Sequence, residues 1–218
     1  MEITFAFLAI LVIFIFVMYK TPRGRGWTGE FLVRFVLGKN CPKKDIFVIN
    51  NLMFYDGTKS VQIDHVLINK YGIHIVETKN YAGYIYGKES DSKWIQVLRY
   101  GKVKKSFYNP IKQNNGHLYS LKQVMPIKVP LYSYIVFTGR ATLKIKDCQT
   151  PVIYPIRLNR TIKKAKAKGY EMKPLEVRKV YETLKTLKKN NNITHEEHVK
   201  SIHQRKTYRK EMYPSDRP

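Results

Sequence analysis

Hydrophobic and polar positions follow three successive patterns along this chain. From Ile3 to Tyr19 there is only an apolar run, the seventeen residues ITFAFLAILVIFIFVMY, without a charge. A helix crosses a bilayer in about 17–25 such residues, so residues 1–20 are expected to form a transmembrane anchor. A cleaved secretory signal would carry positive charge ahead of the run and small residues at its exit. Here Glu2 precedes it and the bulky, basic YKTPRGRGW follows. Lys20, Arg23 and Arg25 lie just after the run, and an excess of Lys and Arg marks the cytoplasmic side. The amino terminus is therefore expected outside, with everything from Lys20 onward in the cytoplasm at the cell membrane.

Pro22, Gly24 and Gly26 make a short exit, and the spacing then becomes helical. In WTGEFLVRFVL, Trp27, Phe31 and Phe35 share one helical stripe with Leu32 and Val36, closed by Gly38 and Pro42. From Asp45 the period falls to two. DIFVINNLMF, SVQIDHVLIN and GIHIVETKN read as three strands, joined by turns at Asp56-Gly57 and at Asn69 to Gly72. NYAGYIYG and KWIQVLR read as a further hairpin. Asn109-Pro110 opens a helix, with Asn as cap and Pro in the first turn, and Leu118, Leu121 and Met125 follow at core spacing. LYSYIVFTG reads as a buried strand, and TPVIYPIRL as one more, interrupted by Pro155 and so placed at an edge. From Asn159 the chain returns to helical spacing rich in Lys, and after Gln204 it lacks an apolar face, as expected of a disordered end.

Charge changes the picture. Forty Lys and Arg stand against sixteen Asp and Glu, a formal +24 at pH 7 spread along most of the chain. Such a field attracts polyanions, meaning nucleic acid or anionic lipid. Cys41 and Cys148 lie in no CxxC or Cys/His cluster, which speaks for a reducing compartment and against a disulfide framework.

The candidate chemistry lies between Gln62 and Asn80. Asp64 is near the start of one strand, and Glu77 and Lys79 are near the end of the next. Residues i and i+2 of a strand face the same way, so Glu77 and Lys79 project together. Folding the hairpin at Tyr71-Gly72 brings the Asp64 strand alongside. Two carboxylates supply hard oxygen ligands for Mg²⁺, which keeps several waters and can bridge a phosphate. An ion so held would activate water against a phosphodiester, and a neighbouring lysine would orient or deprotonate that water or neutralise developing charge. Glu77 and Lys79 share parity with Ile73 and Ile75, the apolar side, which sets them apart from an ordinary solvent-facing pair. His65 points away from Asp64 and reads as structural, Trp94 reads as core, and His117 lies one turn after Gln113 on the same helical face. His195, His198 and His203 sit in a basic stretch and read as exposed.

The run QIDHVLINKYGIHIVETKNYAGYIYG, then Trp94, then NPIKQNNGHLYSL, resembles the nuclease-related domain (NERD) family of the PD-(D/E)xK superfamily. That family has an Ile-Asp-His strand, a Glu-x-Lys-Asn-Tyr-x-Gly strand end, a tryptophan strand and an Asn-Pro-x-x-Gln helix. All four stand here in order, with Gly29-Glu30 on the preceding helix, across roughly Trp27 to Phe137. The resemblance implies that Asp64 and Glu77 bind the metal, Mg²⁺ with Mn²⁺ as a substitute, and that Lys79 is the catalytic lysine. It also implies that Glu30 reaches the same metal through water and that Gln113 closes the site. The expected fold is α/β, a restriction-endonuclease-like mixed sheet flanked by helices. It is expected to follow the anchor at residues 1–20, occupy residues 21–158 and precede a basic helical extension over 159–218. The expected function is a membrane-anchored, divalent-metal-dependent nuclease with DNA, ahead of RNA, as its partner. A catalytically idle scaffold on the same fold, binding nucleic acid or anionic lipid, is the competing expectation.

Overall fold

A computed structural model describes residues 5, 7, 21–125, 128–165, 170–190 and 201. The elements run α1 (Pro22–Leu37), β1 (Phe47–Tyr55), β2 (Ser60–Asn69), β3 (Gly72–Lys79), β4 (Gly83–Lys88), β5 (Lys93–Leu98) and β6 (Val103–Tyr108). They continue with α2 (Pro110–Val124), β7 (Leu131–Phe137), β8 (Ala141–Lys146), β9 (Val152–Ile153), α3 (Pro155–Lys164) and α4 (Pro174–Lys189). No helix among these residues is long and apolar enough to cross a membrane. The expected span at residues 1–20 lies outside the described residues apart from Phe5 and Phe7, and the three histidines of the tail lie outside them too.

Two mixed sheets result. The first has the order β1-β2-β3-β7-β9, antiparallel as far as β3 and parallel from β3 to β9; the second has the order β6-β5-β4-β8, with β4 and β8 parallel. The parallel pair β3–β7 runs on as the parallel pair β4–β8, so the same two stretches of chain leave one sheet and enter the other. Gly139 lies at that crossing, where a Cβ would meet the Tyr81 carbonyl oxygen at 2.0 Å. Only a glycine lets the two backbones pass this closely.

The first sheet is covered on both faces. One core joins Ile49, Ile63, Ile73 and Ile75 of the sheet to Leu121 of α2 and to Val177, Val180 and Leu184 of α4. The other joins Val48, Leu67, Val76 and Val136 to Val33 and Leu37 of α1 and to Leu158 and Ile162 of α3. β3 therefore has apolar neighbours on both sides, as a strand between two helical layers must. Leu158 and Ile162 sit four apart, and Val177, Val180 and Leu184 follow at three and four, so each Lys-rich helix has one buried stripe. The expected border at residue 158 falls inside α3, and the first part of the basic extension packs on the sheet.

One local reading is corrected, and two features were not foreseen. Pro155 does not interrupt a strand: only Val152 and Ile153 pair, at the edge beside β7, and Pro155 opens α3. Proline fits a first helical turn, where its missing N–H has no helical partner to lose. The stripe Trp27, Phe31, Phe35 is the exposed side of α1, while Gly29, Val33 and Leu37 face the sheet. β6 and β8 were not foreseen: VKKSFY breaks the alternation with two adjacent lysines, and ATLKIK, which does alternate, is only six residues long; both lie at the edges of their sheet, where lysines are common.

Candidate active site

The carboxylates meet where β2 and β3 part. Their ladder ends at His65–Val76, and one further step would set Asp64 opposite Glu77. Beyond that point the Asp64 carboxylate Oδ2 accepts the Thr78 backbone N–H at 2.9 Å, the place a strand carbonyl would take if pairing continued. Asp64 is thereby pinned beside the last residues of β3.

Glu77 is 3% exposed. Its Oε1 accepts from Lys79 Nζ at 2.6 Å and from Gln113 Nε2 at 2.7 Å, while Lys79 Nζ also donates to Gln113 Oε1 at 3.0 Å. Gln113 thus closes a three-membered polar ring over the strand end. It is presented by α2, whose start is fixed by Asn109: its Oδ1 caps Ile111 N, and its Nδ2 donates to the carbonyls of Lys88, Glu89 and Asp91. One residue on from Gln113, Asn114 Nδ2 donates to Ser133 Oγ at 2.8 Å and to the Ile75 carbonyl, which clamps α2 across β3 and β7.

The electrostatics are those of a crowded anionic site. Burial raises the Asp64 pKa well above the usual carboxylate range, and the nearby Glu77 charge raises it further; Lys79 and the Thr78 N–H oppose this, and Glu30 adds to it. For Lys79 burial works against the charge, but Glu77 and Asp64 outweigh it and raise the pKa, so the ammonium is held. Glu77 Oε2 is buried with no hydrogen-bond partner. Lys79 pairs with the other oxygen of this carboxylate, and His117 Nδ1 stands 3.6 Å from Oε2, so one cation serves two neighbouring carboxylates and a second would relieve their crowding. The donor set fits a hard divalent ion held by Asp64 and Glu77. No group of three His, Cys, Asp or Glu side chains among the described residues makes a complete ligand set. Two protein oxygens with the remaining positions filled by water and substrate are the usual arrangement for Mg²⁺.

All five expected residues are placed in one neighbourhood: Asp64, Glu77, Lys79 and Gln113 through hydrogen bonds around the strand ends, and Glu30 by its electrostatic influence on Asp64. Glu30 arrives on α1 because Gly29 lets that helix press onto the sheet crossing. A Cβ at Gly29 would meet Thr138 Oγ1 at 2.6 Å and Asn80 Cβ at 2.9 Å, while neighbouring Thr28 Oγ1 accepts from Asn80 Nδ2 at 3.2 Å. Gly29→Val is therefore expected to cost about 1–3 kcal/mol in urea unfolding, as overfilled packing does. It should also carry Glu30 away from Asp64.

His117 belongs to the same cluster, more deeply than its sequence position suggests. Its Nδ1 lies 3.6 Å from Glu77 Oε2, and burial lowers its pKa, with the Glu77 charge opposing. The i, i+4 spacing from Gln113 was the available signal. His65 is structural: its Nδ1 is 2.7 Å from Asn50 Oδ1, and burial lowers its pKa to about 4. Trp94 is fully buried and donates Nε1–H to the Lys88 carbonyl.

The family model described as nuclease-related domain matches residues 25–138, from within α1 to just past β7. An uncharacterized protein of Bacillus anthracis is 31% identical over 186 residues, covering 84% of this chain and 85% of its own. No solved structure matches. The likeness to the Bacillus protein is longer than the family match, and the family match contains Glu30, Asp64, Glu77, Lys79 and Gln113. The chain belongs to the nuclease-related domain family.

Proposed function

We propose that this protein is a divalent-cation-dependent phosphodiesterase that cleaves nucleic acid, DNA ahead of RNA, while anchored at the cytoplasmic face of the cell membrane by residues 1–20. The observation that carries the chemistry is the buried Glu77 carboxylate beside Asp64, with one oxygen making no hydrogen bond and Lys79 held next to them. Asp64 and Glu77 would hold the ion, which when bound supplies charge neutralisation at the phosphoryl group and a more acidic water. Lys79, whose ammonium the Glu77 and Asp64 charges favour against burial, would orient or deprotonate the attacking water or neutralise developing charge. Gln113 fixes the lysine's direction, and its amide would be free to turn to a substrate oxygen if Glu77 were held by an ion. The net charge of +24 supports a polyanionic substrate, since neutralising phosphates releases their condensed counterions.

The test is to incubate the purified chain with plasmid, linear duplex and single-stranded DNA and with RNA, in Mg²⁺, Mn²⁺ or EDTA. Cleavage is expected with either metal and not in EDTA. Glu77→Ala should lose on the order of 10²-fold or more, with its fold intact. Full cleavage by Glu77→Ala would reject the site. Tight binding without cleavage by the parent chain in any metal would favour the scaffold reading.

A further inference from the structure

α1 has two apolar faces, and only one is used inside the domain. Val33 and Leu37 enter the core with Gly29 beside them, while Trp27, Phe31 and Phe35 are 56%, 56% and 76% exposed. The three aromatics recur every fourth residue, so they stand in a row, and the Trp27 and Phe31 rings stack with centroids 5.6 Å apart. Leu32 flanks them, also exposed. Scattered exposed apolar residues need no explanation, but a continuous aromatic row on one helix does.

The chain on either side indicates what covers it. The uncharged run Ile3 to Tyr19 ends two residues before Thr21, the cap of α1. Thr21 is extended, with φ −81° and ψ 147°; its Oγ1 accepts from Gly24 N at 3.1 Å, and Pro22 follows. A residue before proline avoids the helical region, so α1 starts afresh at Thr21 and can turn away from the direction of the preceding segment. Between Lys20 and Lys44 the only acidic residue is Glu30, against seven Lys and Arg. Tryptophan and phenylalanine beside basic residues on one helix suit the boundary between headgroups and acyl chains of an anionic bilayer.

We propose that the Trp27–Phe31–Phe35 face of α1 lies in the headgroup region of the anionic phospholipid bilayer that holds the chain. The inference rests on the anchor reading and is independent of the cleavage reading. The domain is laid on the membrane by a second contact, and because the same helix carries Glu30, the carboxylate site is held at a set height and orientation above the lipid.

The two tryptophans allow a direct test, since Trp94 is fully buried and Trp27 is not. The full chain is reconstituted in vesicles of phosphatidylcholine and phosphatidylglycerol and floated on a density gradient. The Trp27 emission is taken as the difference between the parent and Trp27→Phe. Lipids brominated high on the acyl chain are expected to quench that emission more than lipids brominated near the chain end. Aqueous acrylamide should quench it at least about threefold less in the parent than in Phe31→Ser/Phe35→Ser, as burial of an interfacial face requires. The double variant should still float and keep its Trp94 emission, which reports an intact fold. A chain that floats with Trp27 open to acrylamide would overturn the docking. So would a Trp27 closed to both quenchers, which would mean that protein covers the face, either a second copy or residues 1–20. A chain that fails to float would overturn the anchor and the docking together while leaving the cleavage assay to stand or fall by itself.

Discussion

Asp64→Asn is expected to be inactive and yet, in EDTA, more heat-stable than the parent chain. Asp64 is buried beside Glu77, and both effects raise its pKa in the folded state. A group whose folded pKa is raised stabilises the fold below its unfolded pKa, roughly 4 for Asp. That contribution is lost as the pH rises through the folded pKa. By neutral pH the metal-free parent must either ionise Asp64 next to Glu77 or retain a proton that water would remove, and each is unfavourable. Asparagine keeps an oxygen for the Thr78 N–H and cannot ionise. Each kcal/mol of relief should raise Tm by about 2–4 °C in a domain of this size. Scanning calorimetry in EDTA should show the gain at pH 7.5 and a smaller gain at pH 4. Activity in saturating Mg²⁺ should fall by on the order of 10²-fold or more. A variant less stable than the parent at pH 7.5 would mean that charge crowding is not what the site stores.

Much of this site was legible before any coordinates. Strand parity alone puts Glu77 and Lys79 on one side, and the Tyr71-Gly72 turn brings Asp64 to them, because period-two geometry leaves little freedom. Asn109-Pro110 announced the helix that delivers Gln113, since both residues have specific places at a helix start. What could not be read depends on the second layer of contacts. The exposure of the aromatic row of α1 was not legible, because spacing shows that apolar residues share a face and not what that face meets. The depth of His117 follows from how α2 is clamped by Asn114 on β3 and β7, a pairing between residues 19 to 39 positions apart. In the second sheet β4 and β5 were read as a hairpin while β6 and β8 were not, and the role of the Lys-rich helices was hidden by their charge.

Ending the chain at Asn159 is expected to unfold the domain rather than merely strip it of basic charge. The truncation removes Ile162, Met172, Val177, Val180 and Leu184, all buried, and opens both cores. At about 1.5–3 kcal/mol for each buried apolar side chain, the loss is comparable with the roughly 5–15 kcal/mol by which a domain is stable at all. It also removes the Met172 N–H that bonds to the Lys70 carbonyl at the β2–β3 turn, the hairpin that carries the carboxylates. Circular dichroism and limited proteolysis should show the collapse directly; a truncated chain with parent-like melting would show that α3 and α4 are dispensable. Whether α4 touches nucleic acid is better asked by neutralising exposed lysines such as Lys179 and Lys185 in the intact chain.

The closing of β3 between two helical layers also sets an order of assembly. On one face α1 precedes the strand and α3 follows it, while the other face is completed by α4, 95 to 110 residues after Lys79. At roughly 5–20 residues per second, synthesis leaves on the order of ten seconds in which the carboxylate-bearing strands have been made but one apolar face of their sheet lacks its lid. The partner of β3 across the parallel seam, β7, is also remote in sequence, and such pairings form late. A nascent chain attached at its first residues would spend that interval open beside the bilayer. Products cut short before Val177 would lack the buried side chains of α4 and leave that face of the sheet open.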